Sequence, residues 1–217
     1  NTTAWLLETV LEEIESGEDL EVRYVERERF VKKYYDNSNK VTQGTSSRNF
    51  IIPENVDGKV YLITGGTGSL GLIMAKFLAS KGRVKLVLVG TKELTSGKLA
   101  QIRNIENHDI EVLYLKTDVS NQEEVKELVN KVRHKFGKID GIIHGAGVLR
   151  DSYFINKTEV EIKEVFASKV YGTVWLDEAT KNDHLDFFIM FSSISAPLGN
   201  AGQADYAFAN SFMDYFS

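Results

Sequence analysis

The feature that most constrains this chain is a rhythm. Short, near-continuous runs of apolar and β-branched residues recur at Val60–Ile63, Val84–Val89, Val112–Leu115, Ile139–Ile143 and Phe187–Phe191. Amphipathic segments such as Leu70–Leu78 and Glu124–Phe136 separate them. Strands apolar on both sides belong to parallel sheets, because the crossovers that parallel pairing requires lay helices over both faces. The alternation predicts an α/β fold: a doubly wound, Rossmann-like parallel sheet.

Ahead of that region the pattern differs. Leu6, Leu7, Val10, Leu11 and Ile14 fall at helical spacing. Leu20–Tyr35 alternates loosely around the charged run Glu26-Arg27-Glu28-Arg29, which predicts a short hairpin. Asp36–Asn49 is polar and turn-forming and reads as a linker. The boundary is expected near Pro53, with a small N-terminal piece over residues 1–52 and the main domain over 53–217. Asn1-Thr2-Thr3-Ala4 carries neither an initiator Met nor a basic-then-apolar signal pattern. Met213–Ser217 stops inside an apolar helical pattern, so the chain reads as a piece of something larger, incomplete at its C-terminus.

Composition narrows the partners. A net charge of −5 speaks against nucleic acid, and no apolar run approaches the roughly 20 residues of a membrane span. With no cysteine among 217 residues, disulfides and thiolate metal sites are excluded, which fits a reducing, cytoplasmic setting. His108, His134 and His184 are scattered, so no metal site is expected.

The first strand runs into Thr64-Gly65-Gly66-Thr67-Gly68-Ser69-Leu70-Gly71, and a helix follows. Gly66, Gly68 and Gly71 satisfy G-x-G-x-x-G. One glycine permits the tight turn, one lets backbone approach a pyrophosphate, and one lets helix pack on strand. The helix N-terminus, with its unsatisfied amides, favours the negative charge. A dinucleotide site is expected. The second strand ends in Val89-Gly90-Thr91-Lys92 and offers no carboxylate for a ribose 2′-hydroxyl before Glu93, whereas Lys92 could meet a 2′-phosphate. NADP is favoured over NAD. Asp118, followed by Val119, suits an adenine contact or a helix cap, and both roles are open. In His144-Gly145-Ala146-Gly147 the backbone at Ala146 and Gly147 makes a second close approach, and His144 is expected to be structural.

The fifth strand leads to Phe191-Ser192-Ser193, and Gly202-Gln203-Ala204-Asp205-Tyr206 opens a helix on which Tyr206 and Asn210 share a face. Reducing a carbonyl needs a proton donor for the developing alkoxide. Tyr206 beside a cation can serve, with the Ser193 hydroxyl polarising the same oxygen. Lys169, on the helix before the fifth strand, is the candidate cation.

These motifs together resemble the short-chain dehydrogenase/reductases. Most free-standing members carry lysine four residues after the tyrosine and asparagine on the preceding helix. Here Asn210 and Lys169 are exchanged, as in the ketoreductase domains of modular polyketide synthases, which Lys-Val-Tyr-Gly-Thr and Gly-Gln-Ala-Asp-Tyr also resemble. The likeness is close over Val60–Ser217. Glu21–Tyr35 resembles more loosely the tail of the structural subdomain preceding such catalytic domains. It implies NADPH-dependent reduction of a β-ketoacyl thioester on acyl carrier protein, among neighbouring synthase domains, with Tyr206, Ser193, Lys169 and Asn210 as the catalytic set. Two positions depart from the pattern, Thr91 for a common arginine and Gly145 for alanine, and the family's C-terminal strands and lid are absent. Leu149-Arg150-Asp151 resembles the Leu-x-Asp signature of B-type domains, with Asp151 guiding substrate. Leu198 replaces the A-type tryptophan and Phe208 the proline of epimerising domains, so a D-β-hydroxyacyl product is implied. Two rivals stand beside this reading. A reductase of free small ketones is distinguished by kinetics on free against carrier-bound ketones, and a silent cofactor-binding scaffold by a turnover assay.

Overall fold

In the computed structural model, residues 2–17, 19, 22–31 and 52–217 are described. The chain divides into two compact units, Asn1–Arg48 and Asn49–Ser217. The expected linker at 36–49 lies outside the described residues.

The smaller unit holds helix α1 (Thr2–Ser16) and an antiparallel hairpin of β1 (Val22–Val25) and β2 (Glu28–Val31). Its two turn residues, Glu26 and Arg27, both have positive φ, at 53° and 72°, which matches the right-handed twist of two-residue hairpins. Glu13 on α1 ties the pieces together, accepting hydrogen bonds from Tyr24 Oη and Arg29 Nε at 2.6 Å each. The Arg29 guanidinium, and then Tyr24, hold its carboxyl down to about 2.

The larger unit is the expected α/β domain. Its strands β3 (Lys59–Thr64), β4 (Val84–Gly90), β5 (Ile110–Lys116), β6 (Gly141–His144) and β7 (Phe187–Met190) form one sheet in the order β5-β4-β3-β6-β7, every pair parallel. Side chains alternate across β3. Tyr61 and Ile63 pack with Leu72, Ala75 and Leu78 of α2 (Ser69–Ala79) and Ile102 of α3 (Ser96–Arg103). Val60 and Leu62 pack with Val125, Leu128 and Val132 of α4 (Gln122–Phe136) and Leu176 of α6 (Gly172–Thr180). Two separate cores thus lie on opposite faces, the reason each strand reads as continuously apolar.

Two strands stop short of their apolar runs at one end, each for a local reason. β6 begins at Gly141 rather than Ile139, because the Asp140 carboxylate accepts the Val60 amide at 2.8 Å. That carboxylate is buried but held by Lys138 at 2.9 Å and Lys59 at 3.4 Å. β7 ends at Met190: the Phe191 amide still donates to His144, but its carbonyl is taken by a side chain, Lys169.

Helix α5 (Glu159–Phe166) opens with a capping box, Thr158 and Glu161 bonding reciprocally. It runs through one π-helical stretch, Ala167–Tyr171, into α6. After β7 come a single turn, α7 (Ser195–Leu198), and α8 (Ala204–Phe216). Among the described residues no helix is long and apolar enough to cross a membrane, and no cluster of potential metal ligands occurs.

Candidate active site

The site lies at the carboxyl ends of β3 and β6. From these neighbours the sheet grows outward in opposite directions, opening the crevice in which such sheets bind ligands. The loop after β3 is built of glycines for steric reasons. Gly65 has φ +64°, and a Cβ there would lie 2.7 Å from the Gly145 carbonyl oxygen. A Cβ on Gly66 would lie 2.7 Å from the carbonyl oxygen of Ile63. Gly71 is buried in the first turn of α2, which Ser69 and the half-exposed Leu70 begin. The N-cap of α2 is Gly68, which has no side chain to satisfy the first amides. This arrangement fits an anionic group of a dinucleotide.

A cleft of about 330 Å³ extends from the loop and is lined by Gly65, Thr67, Gly68, Lys92, Asp118, Val119, Ala146 and Gly147, all expected at the cofactor. Asp118 is not the helix cap. Asn121 caps α4, accepting from the amides of Glu123 and Glu124, while Asp118 holds the turn before it through Ser120. Glu93, the first carboxylate along the chain after β4, is paired with Lys116 at 2.7 Å. Among the cleft residues not singled out by the sequence is a cation. Lys98, from the first turn of α3, donates to the Thr67 carbonyl at 2.7 Å and approaches Thr67 Oγ1 at 3.3 Å. Its distance along the chain from the glycine loop conceals it.

His144 is structural, as its place at a strand end suggests. Nε2 faces the Ser168 carbonyl at 3.0 Å and must donate, so Nδ1 accepts from Thr64 Oγ1 at 2.6 Å. Thr64 Oγ1 in turn accepts the amides of Gly145 and Ala146. Burial, reinforced by the Lys169 charge, pushes the imidazole down to about 4 from 6.5. Between these values an unfolded chain takes up a proton that the folded chain refuses, so stability falls as pH drops from 6.5 towards 4. The loss should approach about 3 kcal/mol. Denaturant unfolding across this range measures it, and a flatter profile in His144→Asn identifies the group.

Of the four proposed catalytic residues, Lys169 and Asn210 are placed directly against Tyr206, and Ser193 lies in the turn after β7. Ser193 follows β7, and its Oγ accepts from Ser195 Oγ at 2.9 Å and the Ser195 amide at 3.2 Å. With both acceptor positions filled, its own proton is free to be donated. Lys169 sits in the π-helical stretch, 4% exposed, where its Nζ donates to the Phe191 carbonyl at 2.7 Å and lies 5.4 Å from the Tyr206 ring centroid. π-Helical insertions concentrate at functional sites. Burial pulls the ammonium down to about 8, opposed by Asp214. Asn210 is fully buried; its Nδ2 donates to the Tyr206 carbonyl at 2.7 Å, while Oδ1 makes no hydrogen bond. Asp151 accepts from Gln203 Nε2 at 2.9 Å, which brings the Leu149-Arg150-Asp151 loop to the turn before Tyr206.

A Rossmann-type sheet with a glycine loop and a Ser/Tyr/Lys/Asn set defines a short-chain dehydrogenase/reductase. The KR domain family matches residues 59–217, and the chain belongs to that family, the ketoreductases. It is 43% identical over 162 residues to polyketide synthase PksN of Bacillus subtilis, covering 74% of this chain and 3% of that protein. To PksL of the same organism it is 38% identical over 200 residues, covering 92% of this chain and 4% of PksL. A crystal structure of a ketoreductase domain from the bacillaene assembly line superposes with a TM-score of 0.83 at 40% identity, covering 96% of this chain and 48% of that one. An N-terminal ketoreductase from the macrolactin assembly line gives 0.73 at 45%, covering 79% and 35%. The chain thus spans only a small part of the synthases it matches.

Proposed function

We propose that this domain reduces a β-ketoacyl thioester, carried on acyl carrier protein, to the D-β-hydroxyacyl thioester with NADPH during cytoplasmic polyketide extension. The observation that carries this reading is Lys169, a buried cation reaching Tyr206 from the π-helical stretch. Lys92 and Lys98 in the cleft, with Glu93 engaged elsewhere, support the 2′-phosphorylated cofactor. When bound, the nicotinamide supplies hydride to the ketone carbon. Ser193, whose acceptor positions are filled, donates its proton in a hydrogen bond to the ketone oxygen. Tyr206 transfers its phenolic proton to that oxygen as negative charge develops, and the Lys169 ammonium stabilises the tyrosinate left behind. Asn210 anchors the Tyr206 backbone.

Asp151 is the proposed guide of the carrier arm, supported by its place beside the turn before Tyr206. Exposed apolar side chains on the same segments, Leu149, Ile194, Leu198 and Phe208, suit an acyl chain. We take residues 1–52 as the tail of a structural subdomain plus a polar linker, a reading supported by the 96% coverage of this chain by the bacillaene ketoreductase.

The test is reduction of a carrier-bound β-ketoacyl thioester with NADPH, followed by chiral chromatography. A D product is expected. An L product overturns the stereochemical reading, and faster turnover of free ketones than of carrier-bound ones overturns the substrate.

A further inference from the structure

Lys157 and Asp205 form an ion pair that plays no part in the proton transfer just described. Lys157 Nζ lies 2.7 Å from Asp205 Oδ2, and the side chains are 1% and 3% exposed. Withdrawing two charges from water costs about as much as their attraction returns, so such a pair is no efficient source of stability. Its partners show a different use. Lys157 Nζ also donates to the Arg150 carbonyl, in the middle of the Leu149-Arg150-Asp151 loop. The second Asp205 oxygen, Oδ1, accepts the Tyr206 amide at 2.9 Å. One buried pair therefore connects the loop backbone directly to the backbone of the proton donor.

Two further bonds run parallel to it. The Ser152 amide donates to the Gly202 carbonyl at 2.9 Å, and Gln203 Nε2 donates to Asp151 at 2.9 Å. The Asp151–Gln203 bond is exposed, whereas the ion pair is shielded from water, where electrostatic contacts are strong and directional. Lys157 is itself fixed, since it sits between a 3₁₀ turn (Phe154–Asn156) and the capped start of α5.

We propose that Lys157 and Asp205 are positioning residues that hold the Leu149–Ser152 loop in register with Tyr206, and so decide which ketone face is presented for reduction. The proposal rests on the functional reading above.

The test compares the unmutated protein with K157M/D205N. The double variant removes both buried charges, approximates their shape, and leaves Asn an oxygen for the Tyr206 amide. It is expected to fold and to bind NADPH with unchanged affinity. KM for the carrier-bound thioester should rise, and the D:L product ratio should fall about tenfold, the worth of one good polar contact between competing poses. K157R, which keeps the charge but replaces a point donor by a planar fork, is the second variant and should shift the same ratio. Unchanged product ratio and KM in the folded variants overturn the positioning proposal while leaving the reductase reading intact. Absence of turnover in the unmutated protein overturns both.

Discussion

Tyr206→Phe should reduce turnover of the ketone by about 10²- to 10⁴-fold, the range over which a positioned proton donor contributes, and leave NADPH affinity unchanged. The substitution deletes one oxygen. The ring stays beside Lys169, the backbone keeps its bonds to Asp205 and Asn210, and the glycine-loop cleft does not include residue 206. Single-turnover kinetics with carrier-bound substrate, alongside cofactor titration by fluorescence, separate chemistry from binding. Turnover at the unmutated rate would remove Tyr206 from the mechanism. Weakened cofactor binding would mean that the side chain serves the cofactor rather than the ketone.

Lys98→Ala should lower kcat/KM for NADPH by about 10- to 150-fold with little effect on NADH, as expected from loss of a charged hydrogen bond worth about 1.5–3 kcal/mol. Lys98 is half-buried and held against Thr67, so it meets a phosphate with little further ordering. Lys92 lines the same cleft but is exposed, and its removal should have the smaller effect. Equal losses with both cofactors would assign Lys98 to the glycine loop's stability instead of to discrimination.

The fold was legible because the central strands β3, β4 and β6 are buried on both faces and so wrote continuous apolar runs, with helices of ordinary amphipathic spacing between. The Tyr206/Asn210 pair was legible because four residues are one helical turn. Features that depend on contacts between distant segments were less so. Asn121 rather than Asp118 caps α4, a choice set by the backbone turn between them. Lys98 reaches Thr67 across 31 positions, and Lys157 reaches Asp205 across 48. In the sequence each is one lysine among many. Strand ends shifted where a side chain, Asp140 or Lys169, took the place of a ladder partner.

The π-helical stretch at Ala167–Tyr171 has a consequence for how this site tolerates change. Successive residues of an α-helix are displaced by about 100° around the axis, so a wider turn acts as a phase shift between the two helices it joins. The aim of Lys169 at Tyr206, and of Leu176 at the core, therefore depends on residue count as much as on residue type. Chemical substitutions around the bulge act locally, whereas a change of a single residue in length re-phases everything on one side of it. The spacing of this segment is therefore as much a part of the site as the ammonium of Lys169 itself.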